Sequence, residues 1–287
     1  MVYFRMYGNL GNLLFQYAAA MSLGRGEAIG VTDSASTIAV IRGSAPLFTG
    51  LRIAPEASAS AEEVRQVKCN HMEFPDVTGR DVLLNGYFQS ESYFDIDRVY
   101  GLVRPPADRE GHLRGKYGDW LSRPGVTGIS VRRGDYLKKA AWHPFVGERY
   151  FRDCLARLPE VRDFIVCSDG LDWCKGFFPR RFPDRNFLFV EGESVLDQLY
   201  VHALCANNVV SNSSFSWWGA WIGTQRRLRE TGSRGVTLAP SMWLGRVPKR
   251  EGATWEDIYF DGMEVVRNGY SFRLWLASHL SVFAEKP

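Results

Sequence analysis

A parallel α/β fold is predicted by three observations. First, short apolar runs alternate with helical stretches through the second half of the chain, the pattern that winds into a parallel sheet through right-handed crossovers. Second, the polar chemistry falls where those runs end. Arg132-Arg133, Asp169 and Ser213-Ser214-Phe215 all stand at such ends, where sheets of this kind bind their ligands. Third, the chain opens on a strand, a glycine turn and a helix, an arrangement that aims helix-start N–H groups at an anion. The 287 residues suit one large domain or two modest ones.

Val2 to Met6 reads as the first strand, Gly8-Asn9-Leu10-Gly11-Asn12 as the turn and Leu13 to Leu23 as the helix, stopping at Gly24. The turn lacks the G-x-G-x-x-G dinucleotide fingerprint and serves equally as a tight turn before a core helix. Asn12 and Gln16 share a helix face, and amides on so apolar a helix need partners, from a ligand or from a facing domain. Glu27 to Thr32 reads as a second strand. Residues 34–75 are poorly patterned and predict loops and short helices. Asp81 to Leu84 is a strand running into the aromatic, polar loop 85–94, which suits either packing at a domain edge or ligand contact. Residues 97–120 are partly helical, broken at Pro105-Pro106, and Ser122-Arg123-Pro124-Gly125 reads as a linker.

Beyond it, strands are predicted at 127–132, Phe164 to Cys167, Phe187 to Val190, Val209-Val210 and Val236 to Ala239. Helices are predicted over Arg149 to Leu158, over Val195 to Cys205, and from Trp217 to Ile222 onward. Phe272, Trp275, Leu276, Leu280 and Phe283 follow helical spacing in the tail. That amphipathic helix suits docking on the folded body, or a membrane-surface or oligomer contact through 271–284.

A net charge of +3, from 35 basic and 32 acidic residues, gives no electrostatic case for a nucleic-acid partner. Aromatics at 14% suit a large core and a sugar-binding cleft. Cys69, Cys154, Cys167, Cys174 and Cys205 are odd in number and lack C-x-x-C spacing. Cys154, Cys167 and Cys205 read as buried thiols of a reducing compartment. No apolar run approaches the roughly 20 residues of a bilayer span, and no leader pattern precedes the first strand. The expected location is therefore cytoplasmic, with the inner membrane face open as a contact.

The seven residues Ser130-Val131-Arg132-Arg133-Gly134-Asp135-Tyr136 carry the chemistry. Two adjacent guanidiniums after a buried strand fit an anion, because the fork of an arginine matches phosphate oxygens in pairs. An exposed Arg pair bridged to Asp135 is the plainer alternative. Ser213 and Ser214 open a helix, so their hydroxyls and N–H groups could complete a phosphate site. Asp169 accepts only, which suits the adjacent N–H donors of guanine, though a helix cap explains it equally. With no paired-carboxylate motif at a strand end and no His cluster, no metal and no cofactor are expected.

These motifs resemble those of the bacterial alpha-1,2-fucosyltransferases, glycosyltransferase family 11. Residues 8–18 resemble G-G-L-G-N-Q-M-F-Q-Y-A, 86–91 resemble G-Y-F-Q-S-E, 130–136 resemble H-x-R-R-G-D-Y, and 211–221 resemble S-N-S-T-F-S-W-W-G-A-W. Cys167-Ser168-Asp169 and Ala239-Pro240 with Trp243 are weaker echoes. The resemblance implies a GT-B-like chain, two Rossmann-like domains with parallel sheets facing across a cleft. Residues 1–125 would be the acceptor-side domain and 126–287 the GDP-sugar domain with the C-terminal helix. It implies inverting, metal-free transfer of L-fucose from GDP-L-fucose to the 2-hydroxyl of a terminal galactose on a beta-galactoside acceptor. The donor site would hold Asn12, Gln16, Arg132, Arg133, Asp169, Ser213, Ser214 and Phe215.

Catalysis would rest on Arg132 and Asp135. The general base is open among Asp135, Glu91 and His143, the last two being the acceptor-side candidates, and Asp135 could instead position the arginines. Ser130 stands where the family has His, Leu13 where it has Gln, and Gly170 where a second Asp is common. Those departures keep two alternatives open, a silent GDP-sugar- or glycan-binding protein and a transferase using another GDP-sugar.

Overall fold

The computed structural model describes residues 1–67, 70–137, 139–144 and 146–268. The chain divides into two units, each built on its own parallel sheet.

The first unit comprises Met1–Pro105 and Ala253–Phe260. Its elements are β1 (Val2–Arg5), α1 (Leu10–Leu23), β2 (Ile29–Val31), α2 (Ala35–Gly43), β3 (Arg52–Ala54), β4 (Glu62–Arg65), β5 (Val82–Asn85) and α3 (Ile96–Val103). The sheet runs β3-β2-β1-β5-β4, so the winding reverses between β1 and β5. β1 is central, with Tyr3 opposite Ile29 on one side and Leu83 on the other. α1 is apolar around nearly its whole circumference and correspondingly buried from Leu10 to Met21, apart from Asn12. It starts one turn earlier than the apolar run suggested.

The prediction of loops and short helices over 34–75 is corrected. That stretch holds α2 but also the strands β3 and β4. Both strands lie at sheet edges and bury almost nothing; Val64 is the one buried residue of β4. An edge strand of mostly charged residues, as β4 is, carries no apolar run. Its Glu62 and Glu63 pair with Arg80 and Arg65 instead, a surface that discourages further strand addition.

The second unit comprises Pro106–Gly252 and, among the described residues, 261–268. It holds α4 (Ala107–Leu121), β6 (Thr127–Val131), α5 (Glu148–Ala156), β7 (Asp163–Ser168), α6 (Leu171–Arg181), β8 (Asn186–Phe189), α7 (Val195–Leu204), β9 (Asn207–Val209), α8 (Ser214–Thr231), β10 (Thr237–Pro240), α9 (Arg246–Arg250) and β11 (Met263–Val266). The sheet order is β11-β10-β9-β6-β7-β8, every pair parallel. Counted from its own first strand this is 3-2-1-4-5-6, the order of dinucleotide-binding sheets, with the winding reversing between β6 and β9. β6 is buried at all five positions, as a central strand covered on both faces should be.

One face of this sheet meets an aromatic cluster in which Phe178 of α6 packs on Phe151 of α5 and on Phe187 of β8. On α8, Trp217, Trp218 and Trp221 are fully buried. Cys154, Cys167, Cys174 and Cys205 are free, buried thiols, and burial pushes those of Cys154 and Cys205 up to about 12. Ser122-Arg123-Pro124-Gly125, expected as a linker, is a turn inside this unit, tied down by an ion pair between Arg123 and Asp163 at 2.6 Å. The tail helix over 271–284 and Cys69 lie outside the described residues. Among the described residues no helix is long and apolar enough to cross a membrane.

Candidate functional site

The reversal between β6 and β9 places three segments side by side at the carboxyl edge of the second sheet. Ser130 pairs with Cys167 and Val131 with Ser168, so the chain after β6 leaves beside the chain after β7. On the other side, Ser211 follows β9. Its buried hydroxyl donates to the Ser130 carbonyl at 2.7 Å and accepts the Arg132 N–H at 3.1 Å. That hydroxyl fixes the backbone from which Arg132 projects. Ser130 therefore contributes through its carbonyl, and its side chain is buried.

Asp169 organises the turn from the β7 side. One carboxylate oxygen accepts the Arg133 N–H at 2.7 Å; the other meets the Arg132 guanidinium at 2.8 Å. A second face of that guanidinium meets Asp135 at 2.7 Å. Arg132 is thus held between two carboxylates while 32% of its side chain stays exposed, so its cation is aimed but reachable. Gly134 is needed where it stands, because a Cβ there would lie 2.5 Å from the Asp169 carboxylate oxygen.

Arg133 takes another direction. Its guanidinium lies 4.2 Å over the Trp173 ring on α6, and its flank lies along Gly170, where a Cβ would come within 3.2 Å of it. Glycine at 170 therefore leaves room for this stacked arginine. Burial pulls the Arg133 pKa below its ordinary value, with the nearby Asp169 and Glu148 charges acting the other way.

Ser213 caps α8 by position, yet its hydroxyl makes no bond to the helix. Ser214 and Phe215 open that helix, whose first N–H groups carry the positive end of its dipole. Below them Tyr136 donates to the Asn212 carbonyl at 3.0 Å and stacks on His143 at 4.9 Å. Burial lowers the His143 pKa, with Asp135 pulling it back up, so the ring is neutral near pH 7. Arg132, Arg133, Asp135, Asp169, Ser213, Ser214, Phe215 and His143 thus all belong to the second unit. Among the described residues no three His, Cys, Asp or Glu side chains gather as a metal-binding group.

The remaining predicted residues lie in the first unit. Gln16, expected at the donor, is corrected. It is fully buried, and its amide donates to the Tyr7 carbonyl and accepts the Tyr7 N–H, each at 3.2 Å. Asn12 accepts from Gln89 at 2.8 Å, and Glu91 opens the turn after Ser90. Leu13, a departure from the family pattern, is a core residue with no exposure. Sequence reading singled out neither Ser211 nor Trp173 as functional. Ser211 was visible as the first residue of the Ser-Asn-Ser-Ser block, and Trp173 as an aromatic three residues past a strand-end glycine.

The sequence model of the family described as Glycosyl transferase family 11 matches residues 60–245, more than half of the chain, beginning after the Gly8–Ala18 block. An alpha-1,2-colitosyltransferase of Escherichia coli is 27% identical over 173 residues, 56% of each protein. The O-antigen biosynthesis glycosyltransferase WbnK of Escherichia coli is 29% identical over 109 residues, covering 34% of this chain and 35% of WbnK. Galactoside alpha-(1,2)-fucosyltransferase 1 of Homo sapiens is 27% identical over 239 residues, 75% of this chain and 63% of the relative. The chain thus spans from about a third to under two thirds of the length of these relatives. Among solved structures, fucosyltransferase NodZ from Bradyrhizobium shares 13% identity at a TM-score of 0.48, covering 76% of this chain and 91% of that one. The extent of the family match is decisive: the chain belongs to glycosyltransferase family 11.

Proposed function

We propose that this protein transfers L-fucose from GDP-L-fucose to the 2-hydroxyl of a terminal galactose, with inversion at the anomeric carbon. The observation that carries the reading is the Arg132–Arg133 pair, set at the winding reversal of a sheet with dinucleotide-binding order and tied through Ser211 to the segment that opens α8. In one displacement the bond from the anomeric carbon to the diphosphate breaks as the acceptor oxygen bonds to that carbon. Negative charge grows on the departing GDP. Arg132, Arg133 and the N-terminus of α8 meet that charge, and losing one such contact costs about 3–4 kcal/mol of barrier.

The acceptor proton passes to a base. Asp135 is engaged with Arg132, whereas His143 is neutral near pH 7 and is the better-suited acceptor of that proton. The reading assigns charge stabilisation to arginines, with no metal and no cofactor, and a cytoplasmic setting that fits the buried reduced thiols.

The likeness to a protein named alpha-1,2-colitosyltransferase favours one second reading, a colitosyl donor in place of the fucosyl one. Calorimetric titration with GDP, ADP and UDP under EDTA, followed by turnover assays with fucosyl and colitosyl donors on a beta-galactoside, separates the cases. GDP is expected to bind alone and undisturbed by chelator, with fucosyl transfer the faster. Failure of GDP to bind sinks the proposal, and faster colitosyl transfer transfers it to the second reading.

A further inference from the structure

We propose that Asp169 is a positioning residue for the arginine pair and does not read the guanine base. The inference rests on the donor reading above and deepens it. A carboxylate that recognises guanine must turn its two oxygens together toward the adjacent N–H donors of the pairing edge, each with a lone pair to spare. The direction of both Asp169 oxygens is instead set by the arginine motif. One accepts the Arg133 backbone N–H and the other the Arg132 guanidinium, at 2.7 and 2.8 Å.

The surrounding chain is built to keep the carboxylate there. Gly134, inside the arginine motif, is the residue whose Cβ would collide with the Asp169 oxygen at 2.5 Å. The Gly170 N–H bonds the Ser168 hydroxyl at 2.9 Å, which shapes the turn that carries Asp169. The glycine of Arg-Arg-Gly-Asp thus makes a seat for a carboxylate arriving from the neighbouring strand. A charged hydrogen bond and an ion pair on one side chain fix both the origin of Arg133 and the direction of Arg132. In this role Asp169 acts on the diphosphate through the arginines.

Base reading and positioning give opposite signatures when the ligand is varied. GDP, IDP, which lacks the 2-amino group, and GMP, which lacks the second phosphate, are titrated against the wild type, Asp169→Asn and Gly134→Ala, with turnover measured in parallel. The carboxamide can still accept the Arg133 N–H, but it presents a donor to the Arg132 guanidinium. The expected result is a fall in kcat of about tenfold or more for Asp169→Asn, because an ion pair that aims a charge is lost. The preference for GDP over GMP shrinks by a similar factor, and the ratio of GDP to IDP affinity stays at its wild-type value.

Gly134→Ala, which displaces the carboxylate without removing it, is expected to show the same pattern, and thermal melts establish that both variants are folded. Collapse of the GDP-to-IDP ratio in Asp169→Asn, with the GDP-to-GMP preference kept, overturns the proposal, as does unchanged kcat. A wild type that binds none of the three overturns the donor reading beneath it, an outcome separate from either variant result.

Discussion

The two sheets end in the same way and use their ends differently. After β1 the first unit makes a glycine turn, and a polar side chain of the helix that follows it, Gln16, is turned inward. Both ends of its amide are spent on the Tyr7 backbone. After β6 the second unit also makes a glycine-containing turn, yet its polar side chains turn outward. Buried Ser211 supports the backbone so that Arg132 can stay partly exposed between two carboxylates. A polar residue at a strand end therefore declares only that something polar must be matched there. Whether the match is internal or external depends on which groups the local backbone leaves unpaired.

Three perturbations break or sharpen that contrast. Arg132→Ala is expected to lower kcat about 100- to 1,000-fold, as removal of a preorganised oxyanion donor does, with the fold retained. Initial rates and thermal melts check it, and a well-folded variant with normal turnover would mean the second edge is as inward-looking as the first. His202 tests the inward polar groups of the second unit. It is buried, with Nδ1 3.3 Å from Asn208 and Nε2 without a partner among the described residues, and burial lowers its pKa from 6.5 to about 4. The folded ring stays neutral while the unfolded one binds a proton. Stability present above pH 6.5 is therefore lost as the pH falls toward 4, by about 3 kcal/mol. Urea unfolding across that range should show the slope, and His202→Gln should flatten it. The smallest effect is expected at Gln16→Ala, which removes the amide matched to Tyr7 and should cost about 1–3 kcal/mol of stability. GDP affinity, read by titration, should not move; a large loss there would restore Gln16 to the donor site.

The second sheet was the more legible in sequence because its strands are central. β6 and β7 bury nearly every residue, so their apolar runs stand out whatever the neighbours do. β3, β4 and β11 lie at edges and bury at most one residue each, which erases the pattern that reveals a strand. α6 escaped for another reason: it carries Gly176 and Pro179 inside the helix, both signals for a break. At the site, residue types were legible and partnerships were not. Arg132, Arg133, Asp169 and Ser213 were all marked from strand ends and motif spacing. That Asp169 would be engaged by the arginines depended on β7 lying beside β6, which a linear reading does not contain. Asn12 and Gln16 were rightly expected to need partners, and Gln89 and Tyr7 supply them from within the first unit.

The chain crosses between units more than once, and this bears on how the protein is made. Residues Ala253–Phe260 return to the first unit, where Thr254 bonds Asn70 at 2.9 Å and Ile258 and Phe260 are buried. Only afterwards does the chain supply β11 to the second sheet. On the ribosome, the amino-terminal unit must wait for those eight residues until nearly all of its neighbour has emerged. At translation rates of about 5–20 residues per second that delay is roughly seven to thirty seconds. A nascent first unit lacking its last segment is the form that chaperones would meet. For the same reason, cutting the gene after Pro105 yields an incomplete body, so splitting this protein into separately produced halves requires carrying 253–260 along with the first.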